Sequence, residues 1–281
     1  MLNMVGMQLK NKGMEQGVKG VIFDWAGTTV DFGCMASTLA FVDVFKLKDI
    51  IISIDEVRTS ISLTKRDHIR TITELDSVRF QWHKIYNKFP DEVDVDELYN
   101  DLEPSLSFII RNYSAPVKGT AELVSTLKNR GIKVGATTGY VASMMANVIP
   151  IAQELGFEPD CIINSSDVDE GIPKPWMSYM NAIKLGVYPM SSLIKIGDTV
   201  VDMQEGNNAG MWTIGVTKSG NELGYTEDEL LNGDPNVIDF KVDHAKQKLL
   251  AAGAHFVADG VWDCLPIIDK IDNLIRKGLK P

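Results

Sequence analysis

The sequence predicts an α/β protein: a doubly wound parallel sheet with a block of helices inserted after its first strand. Short apolar runs recur between helical patterns, one long interval in the first half holds helical patterns alone, and two of the apolar runs lead directly into aspartates. Runs that are apolar throughout, without polar alternation, belong to strands covered on both faces, as in parallel sheets. Their alternation with helices gives the layering of a doubly wound, Rossmann-like core.

The candidate strands are VKGVIFDWA ending near Ala26, IKVGATT ending at Thr138, CIINSS near Ser165, LIKIGDT ending at Thr199 and MWTIGVT ending at Thr217. Helical stretches lie between them, such as AELVSTLKNRG, which Gly131 stops. From about Ala36 to Tyr113 the rhythm changes to successive charged helices (ASTLAFVDVFKLK, TKRDHIRTITELDSVRFQWHKIYNKF, DVDELYNDL) with no strand. A helical insertion there overhangs the carboxyl ends of the strands, where open α/β sheets bind ligands. The expected division is a loose tail over 1–16, a core over 17–34 and 114–281, and a helical cap over 35–113, with hinges near Cys34 and Tyr113.

At 281 residues the chain has room for such a core and a smaller accessory unit. Its 44% hydrophobic and 23% charged residues match ordinary globular proteins. A net charge of -10 without a basic stripe argues against nucleic acid as partner. The cysteines Cys34, Cys161 and Cys264 form no CxxC, so neither a disulfide framework nor a zinc site is expected, and a reducing cytoplasm fits. No segment reaches the roughly 20 apolar residues that span a bilayer, nor does the start resemble a secretory signal, so no membrane role is expected.

Asp24 follows GVIF and precedes a turn at Gly27, placing a carboxylate at the end of a central strand. Asp198 and Asp202, four residues apart in IGDTVVDM, fall where another strand passes into a helix. A lone Asp in such a place commonly caps a helix. Three that converge repel one another unless a cation lies among them, and hard oxygen ligands suit Mg²⁺.

The segments FDWAGTTVD, ATTGY and IGDTVVDMQEGNNAGMW resemble the catalytic loops of the haloacid dehalogenase superfamily. The resemblance implies that Asp24 attacks phosphorus to form an aspartyl phosphate and that Thr138 and the Gly139 backbone bind phosphoryl oxygens. It also implies that Asp24, the Ala26 carbonyl and Asp198 hold Mg²⁺ with Asp202 in support. Most phosphatases of that superfamily carry a general acid two residues after the nucleophile, where this chain has Ala26. A positioned acid typically contributes about 10²- to 10⁴-fold, so an oxygen leaving group is disfavoured.

The run VIFDWAGTTVDFGC, with DHIR, PWM, LGVYPM and GAHF further on, resembles phosphonoacetaldehyde hydrolases from about Gly17 to the end. That resemblance implies a small phosphonate substrate, a Schiff base on Lys65 in LTKRDH, Cys34 and Tyr140 near the substrate, and a homodimer joined through the caps. An imine-forming amine must be uncharged, so Lys65 needs a depressed pKa. His68, three residues on along the same helical face, is expected to transfer protons.

Two departures stand out. GIPKPWM places Ile172 where the family has an arginine that holds the phosphoryl group, and Lys174, two residues on in an extended segment, is expected to replace it. Ile61, Ser62, Leu63 and Thr64 also differ from the usual residues before the lysine. Two alternatives therefore stand beside the phosphonate reading: a phosphatase or phosphomutase acting on an ester, and a phosphonate-binding relative impaired in catalysis. His83, His244 and His255 have no partner at ligand spacing and are expected to be structural or at the surface, and Met144 and Met145 to lie in the core.

Overall fold

The first strand, β1 (Gly20–Asp24), reads GVIFD, and its Val21, Ile22 and Phe23 are wholly buried. It takes the centre of a sheet seen in a computed structural model that describes residues 17–59 and 65–281. With β2 (Lys133–Thr138), β3 (Cys161–Asn164), β4 (Leu193–Gly197), β5 (Trp212–Val216) and β6 (Phe256–Ala258), it forms a six-stranded sheet in the order β3-β2-β1-β4-β5-β6. Every neighbouring pair is parallel, with Phe23 beside Ala136 on one side and Ile196 on the other. The chain winds outward in one direction from β1 and in the other from β4. The carboxyl ends of these two strands therefore flank the crevice where such sheets bind ligands.

Five of these strands are the ones expected from the sequence. The sixth, β6, is three residues long and only partly buried, too short to carry a periodic signal.

From residue 35 to residue 113 the described residues form helices and no strand of the sheet: α1 (Met35–Lys46), α2 (Ile54–Arg58), α3 (Lys65–Thr73), α4 (Asp76–Tyr86) and α5 (Glu92–Ile109), followed by a 3-10 turn at Ile110–Tyr113. Capping boxes start two of them, Ser53 with Glu56 for α2 and Asp91 with Asp94 for α5, each satisfying two orphan backbone donors. Their inward faces meet in an apolar cluster that includes Phe41, Phe45, Ile72, Trp82, Leu98 and Leu106. The sheet is flanked by α6 (Thr120–Asn129), α7 (Ala142–Glu154), α8 (Trp176–Leu185), α9 (Val200–Ala209), α10 (Glu227–Asn232), α11 (Pro235–Ala251) and α12 (Cys264–Arg276). Met144 and Met145 lie buried in this core, as expected. The 1–16 tail and the changed loop 61–64 lie outside the described residues.

The chain leaves the sheet for α1 through a tight passage. Asp31, Gly33 and Cys34 all have positive φ, and a Cβ on Gly33 would stand 2.3 Å from the Tyr225 carbonyl oxygen. Glycine is needed there for both conformation and space. The buried Asp31 carboxylate steadies the exit by accepting hydrogen bonds from the Met35 and Ala36 amides at 2.9 and 3.1 Å.

Directly after β1, Trp25 is fully buried with its ring centroid 5.0 Å from that of Phe157. Trp25→Ala should lower the unfolding free energy by about 3–5 kcal/mol, the usual cost of emptying so large a core site, measurable as a reduced urea midpoint.

Candidate active site

Asp24 ends β1, Asp198 follows β4 directly, and Asp202 lies in the first turn of α9. One carboxylate oxygen from each comes within 4.8 Å of the others, a set that could hold a metal ion. The loops around them are built to hold carboxylates in place. Asp198 is wholly buried; its Oδ1 accepts from Thr28 Oγ1 at 2.7 Å and its Oδ2 from the Asn221 amide at 2.8 Å. Asp202 Oδ2 accepts from the Thr199 amide and hydroxyl, the capping box that opens α9. Its buried Oδ1 lies 3.1 Å from Lys195 Nζ but out of hydrogen-bonding alignment, leaving that oxygen without a hydrogen bond.

These surroundings shift the carboxyl groups of Asp24 and Asp198 upward. Enclosure by protein, then the charges of Asp202 and Asp198, hold Asp24 well above the usual carboxylate range, although Lys195 pulls it back. Burial, followed by the charge of Asp202, raises Asp198 to about 7. Oxygen donors crowded together, an oxygen lacking a hydrogen bond and carboxyl groups reluctant to ionise are what a divalent cation would relieve, so the residues fit one.

A buried cation beneath the cluster is a feature that sequence reasoning missed. Lys195, in the middle of β4, is fully buried; its Nζ donates to Thr137 Oγ1 and Glu205 Oε2, both at 2.6 Å, and lies 3.1 Å from Asp202 Oδ1. Glu205 is equally buried and its Oε1 accepts from Ser178 Oγ at 2.9 Å. The signal was present in LIKIG, since a lysine inside a strand buried on both faces requires charged partners.

Above the carboxylates opens a cavity of about 280 Å³ lined by residues from both the sheet and the inserted helices. Asp24, Ala26, Cys34, Lys65, Thr138, Gly139, Tyr140 and Asp202 all border it, so most of the residues singled out in the sequence meet in one place. Ile172, Leu106, Val201 and Asn221 add an apolar and amide lining that had not been anticipated, with the exception of Ile172 as a departure from pattern. Thr138 Oγ1 accepts from the Tyr140 amide at 3.1 Å, shaping the turn that carries Gly139. Cys34 Sγ points to Asp198 Oδ2 at 3.7 Å, and burial pushes its thiol pKa up.

Lys65 opens α3 and also borders a smaller adjoining cavity with Glu103, Gly139 and Tyr140. By accessible area it is exposed, yet surrounding protein lowers its pKa, with Glu103 opposing. The accessible area and the loss of solvation are compatible because the side chain borders recessed cavities.

Two expected residues do not reach the site. Lys174 is exposed and pairs with Glu170 at 3.9 Å, because the Lys174 amide donates to the Gly171 carbonyl at 3.1 Å and the segment is a turn. The side-sharing of residues i and i+2 holds only for extended chain. Ile172 borders the cavity instead, and Lys65 is the sole lysine or arginine among its described lining residues. His68 is buried in the helical segment, its Nε2 2.6 Å from the Val57 carbonyl and its ring 4.2 Å from Phe41. His68 lies with Ile69 and Ile72 on the buried side of α3, while Lys65, the first residue of that helix, is exposed. His255 meets Thr213 at 2.7 Å, a structural contact.

The family model for haloacid dehalogenase-like hydrolases matches residues 18–210, which defines the class: a hydrolase of the haloacid dehalogenase type. The phosphonoacetaldehyde hydrolase-like protein of Syntrophobacter fumaroxidans is 43% identical over 264 residues, 94% of this chain and 95% of that one. The phosphonoacetaldehyde hydrolase of Bacillus cereus is 42% identical over 256 residues, 91% of this chain and 97% of its own. A crystal structure of a phosphonoacetaldehyde hydrolase-like protein from Oleispira antarctica superposes with a TM-score of 0.82 at 34% identity, covering 98% of this chain and 100% of that one. The chain belongs to the phosphonoacetaldehyde hydrolase family within the haloacid dehalogenase superfamily.

Lys195→Met would strand Glu205 and Asp202 as buried charges, so a loss of about 3–5 kcal/mol in urea unfolding is expected. Combining it with Glu205→Gln should recover part of the loss. The pH dependence follows from Asp198: its folded pKa of about 7 exceeds the ordinary 3.8, so the folded state holds the proton more tightly. The metal-free protein should therefore lose stability as pH rises through that interval, and a divalent cation should raise the melting temperature more at pH 7.5 than at pH 5. A melting temperature independent of pH across the interval would contradict this.

Proposed function

We propose that the protein hydrolyses phosphonoacetaldehyde, or a close relative, to phosphate and an aldehyde by cleaving a carbon–phosphorus bond. The observation that carries the reading is that Lys65 and Asp24 border the same cavity of about 280 Å³, an amine from the inserted helices facing a carboxylate from the sheet. In this reading residues 35–113 act as a cap on the core formed by 17–34 and 114–281.

The chemistry needs both groups. A carbanion is a very poor leaving group, whereas departure from a protonated imine yields a neutral enamine. The uncharged Lys65 amine condenses with the aldehyde and expels water, which its lowered pKa favours. Asp24 then attacks phosphorus, the electrons of the carbon–phosphorus bond pass into the iminium, and an aspartyl phosphate and an enamine result. Water hydrolyses the aspartyl phosphate to phosphate; protonation and hydrolysis of the enamine release acetaldehyde and regenerate Lys65. One water is consumed overall.

The backbone of Gly139 and the hydroxyl of Thr138 border the cavity where the phosphoryl oxygens would bind. Asp24, Asp198, Asp202 and the Ala26 carbonyl would hold Mg²⁺, which would offset their mutual repulsion and the charge on the phosphoryl group. Ala26 in the lining offers no acid for an oxygen leaving group, which speaks against ester hydrolysis. Exposed Phe80, Ile85 and Phe89 in and just beyond α4 support pairing of two copies through the caps.

A second reading, phosphonate binding with little turnover, is favoured by Ile172 in the lining and Lys174 at the surface. One experiment separates the two. Phosphate release from phosphonoacetaldehyde is expected from wild type and is expected to fall at least about 10³-fold in Lys65→Arg and in Asp24→Ala. Borohydride with substrate should label Lys65 in wild type and in Asp24→Ala. Binding and labelling without phosphate release from wild type would establish the second reading instead.

A further inference from the structure

The inserted helices and the sheet-bearing part meet at a seam that charge fastens at one point. Arg58, the last residue of α2, donates from Nη1 to Glu229 Oε1 at 2.9 Å and from Nη2 to Glu229 Oε2 at 2.8 Å. This is the two-pronged pairing in which a guanidinium fixes direction as well as distance. The Arg58 side chain is only 9% exposed and its guanidinium lies 5.0 Å from the centre of the Tyr225 ring. Glu229 is itself held, because the Thr226 amide and hydroxyl donate to its Oε2 at 2.7 and 2.9 Å.

The partner segment, 219–229, is tied to the carboxylate site at its start. Ser219 Oγ donates to the Gly27 carbonyl at 2.8 Å, the Gly33 amide donates to the Ser219 carbonyl at 2.7 Å, and the Asn221 amide donates to Asp198. On the other side of the seam, His68 Nε2 is bonded to the carbonyl of Val57, the residue before Arg58. Since His68 belongs to α3, the helix that Lys65 opens, a constraint on Arg58 is also a constraint on Lys65.

We propose that Arg58, Glu229 and Tyr225 form a clasp that positions the inserted helices over the sheet so that Lys65 faces Asp24. It rests on the reading of Lys65 and Asp24 as the reacting pair. The three are positioning residues and touch no substrate. Opening the seam breaks the Arg58–Glu229 pair, and His68 carries the restored position to α3 when the pair re-forms.

The test uses the full chain without metal and follows Cys34, whose buried Sγ borders the cavity. Iodoacetamide labelling is read by peptide mass spectrometry in wild type, Arg58→Met, Glu229→Gln and the double variant. The half-buried Cys161 of β3 serves as the internal reference. Each single variant should raise the Cys34 labelling rate by roughly tenfold, equal to about 1.4 kcal/mol of closing energy. The double variant should add little, because both changes remove one contact. Arg58→Lys should lie between wild type and Arg58→Met.

In separate assays with Mg²⁺ and phosphonoacetaldehyde, KM should rise in the single variants while the rate of Lys65 trapping at saturating substrate changes less. Unchanged Cys34 labelling in Glu229→Gln would overturn the clasp, and so would equal acceleration at Cys161, which would mean general loosening. Absence of phosphate release from wild type would instead overturn the reaction, with the labelling result still deciding the clasp.

Discussion

The structure is organised around a cluster of carboxylates that cannot be left uncompensated. Asp24, Asp198 and Asp202 are brought within one ion's reach by the ends of β1 and β4 and the first turn of α9. Burying charges of one sign is expensive, and the fold answers with a buried lysine, with donors from Thr28, Asn221 and Thr199, and with carboxyl groups that hold protons unusually tightly. Lys195 sits where a strand's middle residue would ordinarily be apolar, and Glu205 and Ser178 exist in their buried places to satisfy it. Removing any one of these groups alters the charge balance felt by the rest.

The inserted helices supply what the sheet lacks. The sheet ends offer carboxylates, a hydroxyl and backbone amides, and the lining they share with the helices holds an amine only because Lys65 starts α3 at its edge. The protein around this amine reduces its solvation, which lowers the Lys65 pKa while the side chain borders two recesses. The mixed lining, with Ile172, Leu106 and Val201 beside the polar groups, leaves Lys65 as the sole lysine or arginine among the described residues at that face.

Much of this was legible in the residues. Five strands could be read because each is an apolar run bounded by turns, and Asp24, Asp198 and Asp202 because each follows or begins at such a boundary. Lys65 was found through the motif around it, and it does border the cavity. Two positions depended on local geometry that residue spacing does not contain: Lys174 stands at the surface because its segment is a turn and not extended chain, and His68 is buried because that side of its helix is the packed one. Lys195 was overlooked because the apolar residues around it dominate the pattern.

The sequence by itself determined the order of five strands and the helices between them, the interruption after the first strand and the identity of the acidic groups at strand ends, because these depend on periodicity and on neighbours along the chain. Tertiary structure alone decided which distant residues meet. The pairing of Lys195 with Glu205, the approach of Lys65 to Asp24 and the Arg58–Glu229 contact across 171 positions follow from how helices pack on the sheet and on each other. Packing is a property of whole faces in three dimensions, and no local window of sequence contains it.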